Sequence, residues 1–247
     1  MPTGPTEGRQ LAQERVSVQA YARTAGVLAL LSLIAGGFGE AYAPSRIIVS
    51  TDAAATVGNL KALDFLFRMG FAAYLIEAIC DITLALVLYV LLKPVHRYLS
   101  LLATFFGLVG TAVFGAAELF YFAPTLLLRG TDSLKGFSPD QLNTLALLSL
   151  KLYVLGGAIF TAFYGAACVV RGYLIFRSGY LPKALGVLLT IAGVAFVVRN
   201  FALVLAPAYP SGGLLLLILP GFLAMTVWFL VKGVDVAKWE ARAATRD

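Results

Sequence analysis

Four carboxylates and three cations stand inside apolar stretches of this chain, where an ionised group is expensive to keep. Glu77 and Asp81 are four residues apart and Tyr74 precedes Glu77 by three, so on a helix the three share one face. Two ionised carboxylates stacked there repel, and either a cation answers them or one of them holds a proton. Lys151 and Arg199, the latter followed by Asn200, are the candidate countercharges, and Glu118 lies in a third apolar stretch. Glu40 and Arg68 fall close enough to the ends of their stretches for their heads to reach an interface. The same constellation serves two kinds of chemistry. As an ion-pair network it fixes how helices pack; as a polar cavity it binds a small polar, charged or lipid ligand. A lipid-modifying enzyme would use Glu77 or Asp81 as general base, with Lys151 or Arg199 steadying an anionic headgroup. No nucleophile motif accompanies them, so no catalytic residue is assigned. With one histidine, His96, and two cysteines, Cys80 and Cys168, at no ligand spacing, neither a metal site nor a cofactor is expected.

The elements that must carry these residues follow from composition. Of 247 residues, 60% are apolar and 13% charged, and the mean hydropathy is +0.87. A domain of this size cannot hide such an excess from water. Soluble enzymes, disordered chains and disulfide-stapled secreted domains are excluded, leaving an all-α, multi-pass membrane bundle. Six runs are long enough to span a bilayer core: 25–43, 67–92, 99–127, 142–174, 184–206 and 214–231. In the first, Ala41-Tyr42-Ala43 imitates a signal-peptidase site. The run exceeds the usual h-region and Pro44 would follow the cut, so a retained span is expected.

Six spans put both termini on one side. Twelve Lys and Arg fall on that side and five on the other, which places both termini in the cytoplasm of an inner-membrane protein. The formal charge of +6 is explained by those loops, and nucleic-acid binding is not expected. With this orientation nearly all the intramembrane charges lie at similar depth, toward the outer side.

The organisation is a flexible tail over 1–22, a six-helix domain over 23–232 and a C-terminal tail over 233–247. The residues Met1 to Gln10, polar and rich in Gly and Pro, are expected to be disordered. Ser50-Thr51-Asp52 before Ala53, Val57, Leu60 and Leu63 predicts a short capped helix on the outer surface. Ser138-Pro139-Asp140-Gln141 reads as a capping box, and the segment from Pro207 to Gly213 as a turn. Gly107-x3-Thr111-x3-Gly115 and Gly157-x3-Thr161-x3-Gly165 are small-residue grooves for close helix packing; a homo-oligomeric contact is their alternative use. Tyr98-Leu99 and Tyr180-Leu181 each follow a short basic turn, and Glu118 and Asn200 each come twenty residues after the Tyr, as in a duplicated hairpin.

Several words of the sequence are also distinctive: Phe67-Arg68-Met69-Gly70-Phe71, Cys80-Asp81, Leu91-Leu92-Lys93-Pro94-Val95, Phe137 to Leu142, and above all Gly172 to Lys183. Over about Arg23 to Trp239 the chain resembles the bacterial membrane family known as domain of unknown function four-three-eight-six. The resemblance implies a multi-pass membrane protein and brings no activity or catalytic residue with it. The reading with the fewest assumptions is a non-catalytic accessory or regulatory protein whose charges organise the bundle. Binding or transport of a small polar or charged solute is the alternative, and lipid modification the second alternative.

Overall fold

The computed structural model describes residues 5–129, 134–206 and 211–245. It is helical throughout, with no strand among the described residues. In chain order it has α1 (Pro5–Gly36), a π-helical turn (Gly37–Tyr42), α2 (Ala43–Ile47), α3 (Ala53–Ala62), α4 (Asp64–Leu92), α5 (Arg97–Leu127), α6 (Pro139–Ser178), α7 (Lys183–Leu205), a 3-10 turn (Ser211–Leu214), α8 (Leu215–Val231) and α9 (Val236–Ala244). Five helices are long and apolar enough to cross a bilayer. A sixth is reached when α8 is counted with α9, which leaves it at 98°. The protein is a multi-pass helical membrane bundle. The helix bounds follow the apolar runs to within a turn for α4 to α8, because in hydrocarbon a backbone can satisfy its polar groups only within itself.

The N-terminal segment departs from expectation. Helix α1 begins at Pro5, so residues 5–10 are helical rather than disordered; Met1 to Gly4 lie outside the described residues. Pro at a first helical position is pre-set for helix, and the stretch from Arg9 through Arg15 is made of strong helix formers, which outweighs the polar composition. The expected outer helix is α3. Its N-cap is Asp52, whose Oδ1 accepts from Ala55 N at 2.8 Å, and Thr56 Oγ1 accepts from Val49 N at 2.9 Å to pin the preceding chain. The capping box of α6 is reciprocal: Ser138 N donates to Gln141 Oε1 at 2.8 Å, and Gln141 N to Ser138 Oγ at 3.3 Å. Of the expected turn from Pro207 to Gly213, residues 207–210 lie outside the described residues. Cys80 and Cys168 are both buried thiols.

The chain divides into two compact units. One, here the Glu118 unit, comprises Leu31–Cys80 and Val109–Thr161; the other, the Arg171 unit, comprises Met1–Leu30, Asp81–Leu108 and Ala162–Asp247. In the Arg171 unit α6 and α7 are held at backbone contact by glycines seven apart. A β-carbon on Gly165 would stand 2.7 Å from Gly193 O and one on Gly193 2.6 Å from Gly165 O; Gly172 and Gly186 repeat the arrangement at 2.7 and 2.6 Å. Of the two small-residue grooves read from sequence, only Gly165 joins this seam. Gly157 meets nothing nearer than Phe114 Cε2 at 3.5 Å. In the same unit Gln19 closes the corner between α8 and α9: its Nε2 donates to Lys232 O at 2.9 Å and its Oε1 accepts from Val234 N at 3.2 Å. Gly233, at φ 71°, makes that corner, as Gly179 at φ 78° makes the one between α6 and α7; both conformations are strained for a residue with a β-carbon.

Candidate functional site

The nine residues singled out from sequence divide between the units. Glu40, Arg68, Tyr74, Glu77, Glu118 and Lys151 belong to the Glu118 unit; Asp81, Arg199 and Asn200 belong to the Arg171 unit.

In the Glu118 unit, Glu40 is carried by the π-helical turn, an i→i+5 widening in which Ala43 N donates to Phe38 O. Such widenings are rare and recur at functional sites. Gly39, on the same turn, lets it settle onto α4, where a β-carbon would stand 2.9 Å from Gly70 O. Gly70 in turn seats the Tyr121 hydroxyl, which donates to Phe67 O at 3.1 Å. The Glu77 carboxylate lies against Gly36, with Oε1 2.5 Å from where a β-carbon would stand, and the Tyr74 hydroxyl lies over Gly115. The glycines are thus where polar heads are seated.

Glu118, on α5, is 3% exposed. Glu40 acts on it electrostatically, and Glu118, Glu40 and Glu77 all act on Tyr153. Tyr121 and Tyr153 are themselves buried, their rings 5.0 Å apart, and Phe114 stacks on Tyr153 at 5.9 Å. The result is a carboxylate group bedded in aromatic rings. Its cations are elsewhere. Arg68 Nε is taken by Asp64 Oδ2 at 2.7 Å in an exposed pair one helical turn apart. Lys151 is exposed and does not turn inward as the sequence suggested. All six Lys and Arg of this unit are exposed: Arg46, Lys61, Arg68, Arg129, Lys135 and Lys151. A lysine has a long flexible stem, so helical phase alone does not hold its ammonium in the interior of the bundle. Among the described residues Glu118 Oε2 is buried and makes no hydrogen bond. No group of three or more His, Cys, Asp and Glu there is placed to hold a metal ion.

In the Arg171 unit the buried charges are mixed. Asp81 is 8% exposed and Arg171, which the basic count assigned to a loop, is 4% exposed inside α6. Arg171 Nη2 donates to Ala103 O at 3.5 Å and lies over Gly107, 3.0 Å from where a β-carbon would stand. Its signal in the sequence is the apolar run on both sides, from Ala166 through Phe176, interrupted by a single charge. Asn200 is buried with Nδ2 donating to Phe196 O at 2.8 Å, and Arg199 is half-buried, its Nε without a hydrogen bond among the described residues.

With that geometry in hand, comparison with known proteins adds three findings. The family described as "Domain of unknown function (DUF4386)" matches residues 24–233. An uncharacterised protein of Archaeoglobus fulgidus is 28% identical over 145 residues, which cover 57% of this chain and 74% of that protein. No solved structure matches.

Proposed function

This chain belongs to the DUF4386 family, and we propose that it is a non-catalytic, cation-binding protein of the cytoplasmic membrane whose site is the carboxylate group around Glu118. The observation that carries the reading is a charge imbalance: a carboxylate at 3% exposure, acted on by Glu40, in a unit whose six cations are all exposed. A carboxylate withdrawn from water must hold a proton or face a cation, since burying its charge alone is too costly. A packing role for Glu118 would need a buried countercharge, and the six cations of its unit are all exposed. The π-helical turn under Glu40 and the rings of Tyr121 and Tyr153 supply what small organic cations use: negative charge beside aromatic faces. Proton and organic cation then compete for one site, as in a binding or transport protein for an amine-bearing solute. The distribution of basic residues supports cytoplasmic termini. Cysteines placed at Lys61 and Arg177, both exposed, should label from outside and from inside respectively.

The test is infrared difference spectroscopy of the purified protein between acid and alkaline pH. A protonated-carboxyl carbonyl band should titrate, shrink on adding methylammonium, and vanish in Glu118→Gln. A spectrum without such a band, or a band unchanged by both the substitution and methylammonium, overturns the proposal.

A further inference from the structure

Away from that site, within the Arg171 unit, an open groove of about 700 Å³ lies between the turn joining α4 to α5 and the face of α9. Its lining combines Lys93, His96 and Arg97 with Tyr89, Tyr98 and Trp239. Three observations bear on what fills it. First, it is electropositive. Lys93 and Arg97 are exposed and make no ion pair among the described residues, and the groove sits at the N-terminus of the 31-residue α5, the positive end of its dipole. His96 caps that helix: its Nδ1 accepts from Leu99 N at 3.2 Å, which leaves Nε2 as the ring's donor. Second, the rim is aromatic. Tyr98 is 75% exposed, and Trp239 is anchored by Nε1 donating to Leu91 O at 2.9 Å, as expected where a membrane meets water. Third, α9 leaves α8 at 98° and turns Val236, Trp239 and Ala243 partly inward while Ala237, Lys238 and Ala241 are exposed, the geometry of a helix lying in the plane of an interface.

From this we infer that the groove binds the phosphate-bearing headgroup of an anionic phospholipid, with Lys93 and Arg97 as its charge partners and Trp239 beside it. Positive charge selects phosphate; the aromatic rim and the interfacial helix select a phosphate delivered by the bilayer rather than by solution. A zwitterionic headgroup carries its own ammonium and gains less from the two cations. Nothing in this site depends on Glu118, so either proposal can fail alone.

The chain has two tryptophans, and Trp228→Phe leaves Trp239 as sole reporter in the full-length protein. In nanodiscs of phosphatidylcholine, brominated phosphatidylglycerol should quench Trp239 at a lower mole fraction than brominated phosphatidylcholine does. Lys93→Gln with Arg97→Gln should weaken that preference about thirtyfold, roughly fivefold for each cation, the equivalent of about 1 kcal/mol per basic residue at a membrane surface. Should the double variant fail to fold, salt tests the same point without substitution, because the preference should disappear at about 1 M, where charges are screened within roughly 3 Å. Equal quenching by the two lipids overturns the inference. So does a preference that survives both the double substitution and high salt, or displacement of the lipid by millimolar inorganic phosphate, which would mark a site for soluble anions.

Discussion

The Glu118 unit and the Arg171 unit meet the same difficulty, ionisable groups taken out of water, in different ways. In the Arg171 unit a buried acid, Asp81, has a buried base, Arg171, in the same unit. In the Glu118 unit Glu118 is buried and Glu40 and Glu77 are half-buried, while every cation is exposed. The seats differ as well. Glycines of the Arg171 unit bring backbone to backbone at Gly165 and Gly193 and at Gly172 and Gly186, with Gly107 under the Arg171 head, whereas in the Glu118 unit Gly36, Gly70 and Gly115 receive the heads of Glu77, Tyr121 and Tyr74, with Gly39 alone against the backbone of Gly70. The Glu118 unit keeps a buried carboxylate where none of its cations is buried, and the proposed function rests on that observation.

The contrast is broken or sharpened by substitution. Arg171→Met should have the largest effect, a loss of about 3–5 kcal/mol in thermal unfolding of the purified protein, because it removes the buried cation from the unit that buries Asp81. Adding Asp81→Asn should restore part of it. If Arg171→Met is no more harmful than Glu118→Gln, the distinction between the units is gone. Next come the seams. Leucine at Gly172 or Gly186 should cost about 1–3 kcal/mol or more, since its β-carbon meets the opposite backbone at 2.7 or 2.6 Å and the helices must part. Gly157→Ala, with only Phe114 Cε2 at 3.5 Å, should be neutral or gain up to about 1 kcal/mol from helix propensity, read from the same melting curves. Glu118→Gln should shift stability by less than roughly 1 kcal/mol, because no hydrogen bond to Oε2 is lost. A large destabilisation there would return the Glu118 unit to a purely structural role.

The smallest effect concerns α9. The side-chain bond from Lys238 Nζ, 2.8 Å from Asp235 Oδ2, and then the Lys238 backbone N–H hold the Asp235 carboxyl below its ordinary value. A group whose folded-state value is depressed contributes fully above the unfolded carboxylate range and loses its contribution as pH falls through the folded value. Acidification through the carboxylate range should therefore lower the protection factors of the first-turn amides of α9, their exchange taken relative to the intrinsic rate at each pH, and Asp235→Ala should remove that loss of protection. Protection factors that are indifferent to pH in the unmodified protein would contradict the capping role.

The duplicated hairpin shows where pattern reading stops. Tyr98 and Tyr180 occupy matching places in sequence, yet Tyr98 is 75% exposed on a groove while Tyr180 is 4% exposed and donates to Leu91 O at 2.6 Å. Its burial raises the Tyr180 hydroxyl above the usual phenol range, with Arg242 opposing. Likewise the sequence places Lys151 inside a span as a countercharge and Arg171 among the loop cations, and it is Lys151 that is exposed and Arg171 that is buried.

The extents of α4 to α8, the capping box at Ser138 and the helix after Asp52 are settled in the residues alone, because hydrocarbon leaves a backbone only its own neighbours to bond and a cap spans only three residues. Burial of Glu118 and Asp81 was equally foreseeable from the cost of exposing a charge to lipid. Which charges share a unit is another matter. Whether Lys151 turns in or out, whether Arg171 is a loop residue or a core one, and which glycines touch backbone depend on helix rotation and on neighbours distant in sequence. Those choices are made by packing among helices joined through long connections, and only the tertiary structure carries them.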